Sequence, residues 1–167
     1  MTCVVWRQKP MHDVQAIDGM DDAARETMTY KFPIKVRGHH IDVYQHVNNA
    51  VYLTFLEDAR WEMFDQSQAL AWMEERDLGF VVVNINIDYH AAAYMNDDIE
   101  VHTEFQPITQ GKRSGKLEQT IYRGDKRLAK AAITYVCIDL KKERALPLEG
   151  ELYQRIEQLR NPGELPE

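Results

Sequence analysis

Hydrophobic residues change their spacing along this chain, and each change marks an element. Tyr30, Phe32, Ile34 and Val36 alternate with Lys31, Pro33, Lys35 and Arg37, the two-residue period of a half-buried strand. Pro33 has no N–H to donate, so the strand belongs at a sheet edge or the proline sits near its start. Between Ala50 and Phe64 the spacing lengthens. Val51, Leu53, Phe55, Leu56, Ala59, Met63 and Phe64 cover more than one helical face, and Glu57, Asp58, Arg60 and Glu62 supply a narrower polar side. A helix this apolar is expected to be largely enclosed. A second, short helix is expected from Gln68 to Arg76, stopping near Gly79.

Four strand-like segments follow. Val81, Val83, Ile85, Ile87 and Tyr89 alternate with Val82, Asn84, Asn86 and Asp88. Ile99, Val101, Thr103 and Phe105 alternate with Glu100, His102 and Glu104. Ser114 to Arg123 alternates less clearly and runs into a tight Gly124-Asp125 turn. Leu128 to Ile138 is apolar on both faces, as a central strand is. A last helix is expected over Glu149 to Leu159, one face kept by Leu152, Ile156 and Leu159, with Asn161-Pro162-Gly163 ending it. One strand, a long helix, a run of four strands and a terminal helix indicate an α+β domain. An antiparallel sheet wrapped around the long helix satisfies that order.

Residues 1–28 sustain no periodicity. They contain the Asp18-Gly19 turn signal and four methionines, Met1, Met11, Met20 and Met28. They are expected to be a loosely attached extension, with one domain over residues 29–160 and a tail over 161–167. The chain has 167 residues, of which 44% are apolar and 28% charged, enough for one core under a solvated surface. Its net charge of -7 argues against general nucleic-acid binding, which needs clustered Lys and Arg. No run approaches the roughly 18 apolar residues of a membrane span, and no signal-peptide core opens the chain. Cys3 and Cys137 have neither redox nor metal-ligand spacing, and Cys137 reads as a buried small residue. The expectation is a soluble, cytoplasmic protein.

The chemistry concentrates in Asp42 to Leu53, Asp-Val-Tyr-Gln-His-Val-Asn-Asn-Ala-Val-Tyr-Leu. Asparagine is a strong helix N-cap, and Asn48 and Asn49 immediately precede the apolar helical run. A helix start offers unpaired N–H groups and a positive dipole end. A carboxylate and an imidazole delivered there suit chemistry on a carbonyl whose oxygen becomes negative. Read from residues alone, Asp42 is equally a turn or capping residue, and His46 orients water or substrate or simply bonds its loop. His39, His40, Asp42 and His46 invite a metal reading. In a strand over 37–42, however, His40 and Asp42 face one side and His39 the other, which divides the cluster; no metal and no cofactor are expected.

The His46-Val47-Asn48-Asn49 run with Tyr52-Leu53, followed by Glu57-Asp58-Ala59-Arg60, resembles the hotdog-fold thioesterases. It is similar to the 4-hydroxybenzoyl-CoA thioesterase type and to acyl-ACP thioesterases. The chain departs from the acyl-ACP pattern at Tyr44, where those enzymes carry Asn, and from many CoA-type relatives at His40, where they carry an acid. The resemblance implies hydrolysis of an acyl-CoA or acyl-ACP thioester, with a non-catalytic acyl-binding role as the alternative. It implies catalytic roles for Asp42, as base or nucleophile, for His46, and for Asn49, whose backbone N–H polarises the carbonyl. It implies a homo-oligomer, dimer or tetramer, with substrate contacts from Tyr44 and Tyr52 of one subunit and Asn84 and Asn86 of the other. Lys112, Arg113 and Ser114 are placed by the same resemblance on CoA phosphates; as residues alone they read equally as a charged hairpin turn.

Overall fold

The computed structural model describes residues 28–161. Their elements run β1 (Tyr30–Lys35), a 3₁₀ turn (Gly38–His40), α1 (Asn49–Gln66), α2 (Ala69–Glu74), β2 (Leu78–Tyr89), β3 (Asp98–Phe105), β4 (Ser114–Arg123), β5 (Lys126–Asp139), β6 (Arg144–Ala145) and α3 (Gly150–Arg160). The expectations for an extension over 1–28 and for the chain end concern, apart from Met28 and Asn161, residues outside those described. No helix among the described residues is long and apolar enough to cross a membrane, which says nothing of strands.

The strands form one antiparallel sheet in the order β1-β3-β4-β5-β2, with the short β6 beside β5. β1 lies at a margin of the sheet, where Pro33 costs no ladder bond on its outer side. The long, doubly apolar β5 lies inside, between β4 and β2.

Helix α1 forms because nothing between Asn49 and Gln66 breaks it: the segment has no Gly or Pro. It starts at Asn48, which has an extended backbone and whose side-chain oxygen accepts the Ala50 N–H at 2.9 Å. The cap is therefore Asn48, and Asn49 is the first helical residue. It stops where Gln68 turns left-handed at φ 57°, and Arg155 of α3 donates to the half-buried Ser67 carbonyl at 2.6 Å.

One stripe of α1 is buried: Tyr52, Phe55, Leu56, Ala59, Arg60, Met63 and Phe64. It faces the inner side of the sheet, made by Val101 and Phe105 of β3, Leu117 and Ile121 of β4, and Ala129, Ala131 and Ile133 of β5. The helix is less enclosed than its composition suggests, since Trp61 remains 51% and Leu53 36% exposed. At the centre of this contact the sheet is polar. Gln119 of β4 accepts from Arg60 at 2.8 Å and donates to the Leu56 carbonyl at 3.0 Å and to Thr103 at 2.8 Å.

Two bulges alter the phase of the alternation. In β2, Val82 pairs with Tyr135 and Asn84 with Thr134, so Val83 is an extra residue. Phe80 and Val82 point inward before it and Ile85, Ile87 and Tyr89 after it. The expected face carrying Val81 and Val83 with Ile85 and Ile87 is thus broken in the middle, and Val81 and Val83 are exposed. In β5, Ile121 faces Ala129 while Tyr122 faces Arg127, leaving Leu128 unpaired across β4. The Leu128 carbonyl instead accepts the N–H groups of both His90 and Ala91.

Gly115 is required by a close approach. A Cβ there would lie 2.3 Å from the Tyr135 hydroxyl. That ring cannot yield, being fully buried, stacked on Phe80 at 4.4 Å and edged by Phe105 at 5.9 Å. We expect Gly115→Ala to lose about 1–3 kcal/mol through overpacking, seen as a lower urea midpoint. Gln119→Leu, which keeps the volume but strips the Arg60 guanidinium of its acceptor, is expected to cost about 1–3 kcal/mol in the same measurement.

Candidate active site

The loop between the 3₁₀ turn and α1 is a closed structure. Ile41 and Val47 form an isolated bridge. Inside it the Asp42 N–H donates to the His46 carbonyl and the Gln45 N–H to the Asp42 carbonyl, both at 3.0 Å. Gln45 takes the left-handed conformation, φ 64°, that completes the turn. The loop is tied to its surroundings by the Asn48 N–H on the His40 carbonyl at 3.0 Å and the Val47 N–H on the Ala93 carbonyl at 2.9 Å. Val43 and Tyr44 at its tip are 85% and 76% exposed, while Asp42 is half-buried.

Asp42 serves this turn with one oxygen: Oδ1 accepts the Tyr44 N–H at 2.8 Å. Among the described residues Oδ2 has only the Asn48 Nδ2 within reach, at 3.5 Å. The turn-residue and carboxylate readings of Asp42 are therefore both embodied, each by a different oxygen. His46 sets its Nδ1 3.1 Å from the Val47 carbonyl oxygen. A carbonyl only accepts, so Nδ1 carries a proton, which makes Nε2 the acceptor in the neutral tautomer.

The helix start completes the arrangement. The Asn48 side chain takes the Ala50 N–H, and the Asn48 carbonyl takes that of Val51. The Asn49 N–H meets no acceptor among the described residues. Tyr89 at the end of β2 donates its hydroxyl to the Asn49 carbonyl at 2.8 Å. The Tyr52 hydroxyl accepts the Ala93 N–H at 2.9 Å, and its ring meets Tyr89 edge-on at 5.4 Å. Burial raises both phenols above their ordinary pKa, so both stay protonated at neutral pH.

A cleft of about 880 Å³ opens over this junction. Of the residues singled out from sequence, Asp42, Tyr44, His46, Asn49 and Tyr52 line it. Tyr89, His90, Ala91 and Ala92 form the facing wall. These four were not anticipated. Tyr89 is legible only as the end of an alternation, and the wall exists because the Leu128 bulge holds His90 and Ala91.

The other candidates lie elsewhere in this chain. Asn84 and Asn86 pair with Thr134 and Ala132 on the outer face of β2, opposite to Ile85 and Ile87. Lys112, Arg113 and Ser114 precede and begin β4 at the far end of the sheet. Ser114 pairs with Val136, whereas Tyr89 at the cleft pairs with Ala129. At roughly 3.3 Å per residue that is on the order of 23 Å along β5. Arg113 donates to the Ala145 carbonyl there.

The strand considered for residues 37–42 does not form: Gly38–His40 is the 3₁₀ turn, so His40 and Asp42 share no strand face. The His40 Nδ1 accepts the Arg37 N–H at 3.0 Å, and its ring meets Phe55 edge-on at 4.8 Å. Burial, then the neighbouring His39 and Arg37, push its pKa below the ordinary value against the pull of Asp58. His40 is a neutral packing residue. Among the described residues no group of three or more His, Cys, Asp and Glu side chains converges on a metal-sized position. Cys137 is buried, and burial pushes its thiol up to about 12, so it is no nucleophile.

Comparison with known proteins places this geometry. The profile of the thioesterase-like superfamily matches residues 36–156. The long-chain acyl-CoA thioesterase FadM of Escherichia coli K12 is 50% identical over 128 residues, which are 75% of this chain and 96% of FadM. The acyl-CoA thioesterase YbgC of Haemophilus influenzae is 34% identical over 129 residues, 74% of this chain and 90% of YbgC. Among solved structures, the probable thioesterase YbaW of Escherichia coli superposes with a TM-score of 0.73 at 47% identity, over 78% of this chain and 98% of that one. A 1,4-dihydroxy-2-naphthoyl-CoA thioesterase from Synechocystis shares the fold, with a TM-score of 0.66 at 18% identity, over 79% of this chain and 95% of that one. The curled antiparallel sheet around α1 is thus the hotdog fold, and this chain belongs to the thioesterase-like superfamily as a thioester hydrolase.

Proposed function

We propose that the protein hydrolyses acyl-CoA thioesters to the free acid and CoA, with long-chain acyl groups as the first substrates to test. The observation that carries the reading is the meeting of Asp42, His46 and the open Asn49 N–H in one aromatic-lined cleft. FadM and YbgC are both named for acyl-CoA thioesters, and FadM for long-chain ones. The thioester carbonyl sits at the start of α1, where the Asn49 N–H and the positive helix end take its developing negative charge. Asp42 then acts in one of two ways. It removes a proton from a water that attacks the carbonyl, or it attacks directly and forms a mixed anhydride that water cleaves. In either course the C–S bond breaks and CoA leaves as its thiolate. The Nε2 of His46, an acceptor in the neutral tautomer, lies beside this path and holds the attacking water. Tyr44, Tyr52 and Tyr89 supply apolar wall and polar tips, which suits an acyl chain.

The working form in this reading is a dimer or tetramer. β2 is a 12-residue strand with β5 on one side and, among the described residues, no strand on the other, and such edges seek a partner. The exposed Val81 and Val83 on β2, with Leu53 and Trp61 on α1, are apolar surface of the kind a second copy covers. Assembly would bring Asn84, Asn86 and the Lys112-Arg113-Ser114 segment of one subunit toward the cleft of another, with the cations on CoA phosphates. A cytoplasmic location is part of the same reading, supported by two cysteines without redox or metal-ligand spacing.

Asp42→Asn should lower kcat on palmitoyl-CoA by roughly 10²–10⁴-fold, the contribution of a positioned base, with its melting temperature kept. Release of thiol from a panel of acyl-CoAs, with acyl-ACP in parallel, measures this. Activity within a few-fold of wild type would remove Asp42 from the chemistry. In sedimentation velocity the wild type should run as a dimer or larger. Trp61→Glu with Val81→Glu should shift it toward the monomer, and a monomeric wild type would end the assembly reading.

A further inference from the structure

One side chain touches both the carboxylate and the helix start, and capping accounts for only half of it. Asn48 Oδ1 accepts the Ala50 N–H at 2.9 Å. That bond fixes which way the amide faces, because only its oxygen accepts. Nδ2 must then point to the other side, where Asp42 Oδ2 stands at 3.5 Å. The residue cannot swing away, since its own N–H is held by the His40 carbonyl at 3.0 Å and its carbonyl takes the Val51 N–H at 2.9 Å.

Serine, aspartate and asparagine cap a helix about equally well, so the cap alone does not call for an amide. An aspartate would gain from the helix dipole but would set a second negative charge against Asp42. A serine would leave Oδ2 without a donor. Asparagine caps, stays neutral and still donates. Meanwhile Asp42 Oδ1 is held by the Tyr44 N–H, which makes the two carboxylate oxygens inequivalent. We infer that Asn48 is a positioning residue: its amide holds Oδ2, the reacting oxygen of Asp42, in register with the open Asn49 N–H.

This inference rests on the thioesterase reading of Asp42. The 3.5 Å contact is at the long end of hydrogen bonding and is expected to tighten when substrate is bound, as catalytic contacts do. The other titratable groups facing Asp42 are Tyr44 and His46 on its loop, Tyr52 on α1, and Tyr89 and His90 at the end of β2.

The test compares full-length wild type, Asn48→Ser, Asn48→Asp and Asp42→Asn on palmitoyl-CoA, reading kcat and KM separately beside melting temperature. Asn48→Ser keeps the cap and should keep the melting temperature, hold KM within a few-fold and lose roughly ten- to hundredfold in kcat through misplacement. Asn48→Asp should lose at least as much in kcat, since its carboxylate gives Oδ2 no donor and opposes it with a like charge. A kcat within a few-fold of wild type in the serine variant, or in both, makes Asn48 a cap alone and overturns the inference while the thioesterase reading stands. Full activity in Asp42→Asn overturns the reading itself, and this inference with it.

Discussion

The arrangement depends on how the first turn of α1 is finished. A helix start leaves four N–H groups without partners. Here the Asn48 side chain and carbonyl take those of Ala50 and Val51, and that of Asn49, a residue lining the cleft, meets no acceptor among the described residues. The same residue anchors the preceding loop to His40 and reaches the Asp42 carboxylate. A junction that satisfied every donor internally would be a sound helix cap with nothing to offer a carbonyl oxygen. A junction that satisfied fewer would not hold the loop. In the proposed reading the site is the part of the cap that the fold leaves unfinished.

That junction stays put because α1 is pinned along its length. Its buried stripe lies on small and branched side chains of the inner sheet face, Ala129, Ala131 and Ile133 among them, which let the helix approach closely. Gln119 sets the register by bonding Arg60 and the Leu56 carbonyl together. Such a satisfied polar contact in a low-dielectric core tolerates little sliding. Tyr89 and Tyr52 tie the first turn to the β2–β3 connection. The Leu128 bulge holds that connection from the other side. Loop, helix and wall are thereby fixed to one another through the sheet.

The polarity of the two sheet ends differs in a way that suits a long ligand. The cleft end is rich in tyrosine and alanine, whereas the far end carries Lys112 and Arg113. In one chain these ends are too far apart to serve a single carbonyl. An edge strand and an exposed helix face left open are what a neighbouring subunit would use to bring them together.

Much of this was legible in the residues. Element types and order follow from spacing, because a period of two or of 3.6 is a local property and burial of one face enforces it. Asp42, Tyr44, His46, Asn49 and Tyr52 were recognisable because they are contiguous, and a loop and first turn of a dozen residues have few ways to fold. The residues left the cap open between Asn48 and Asn49, since the two are chemically alike and only the backbone says which is extended. Tertiary structure alone decided the rest. Whether Val83 bulges depends on its pairing with β5, and that slip determines which residues of β2 face inward. Tyr89 joins the site across 40 residues, through hydrogen bonds that no local pattern encodes. The sequence by itself determined the helix, the strands and the acid beside the helix start. The three-dimensional fold decided which wall faces that acid and which donor is left open to it, because register and long-range closure belong to the whole sheet.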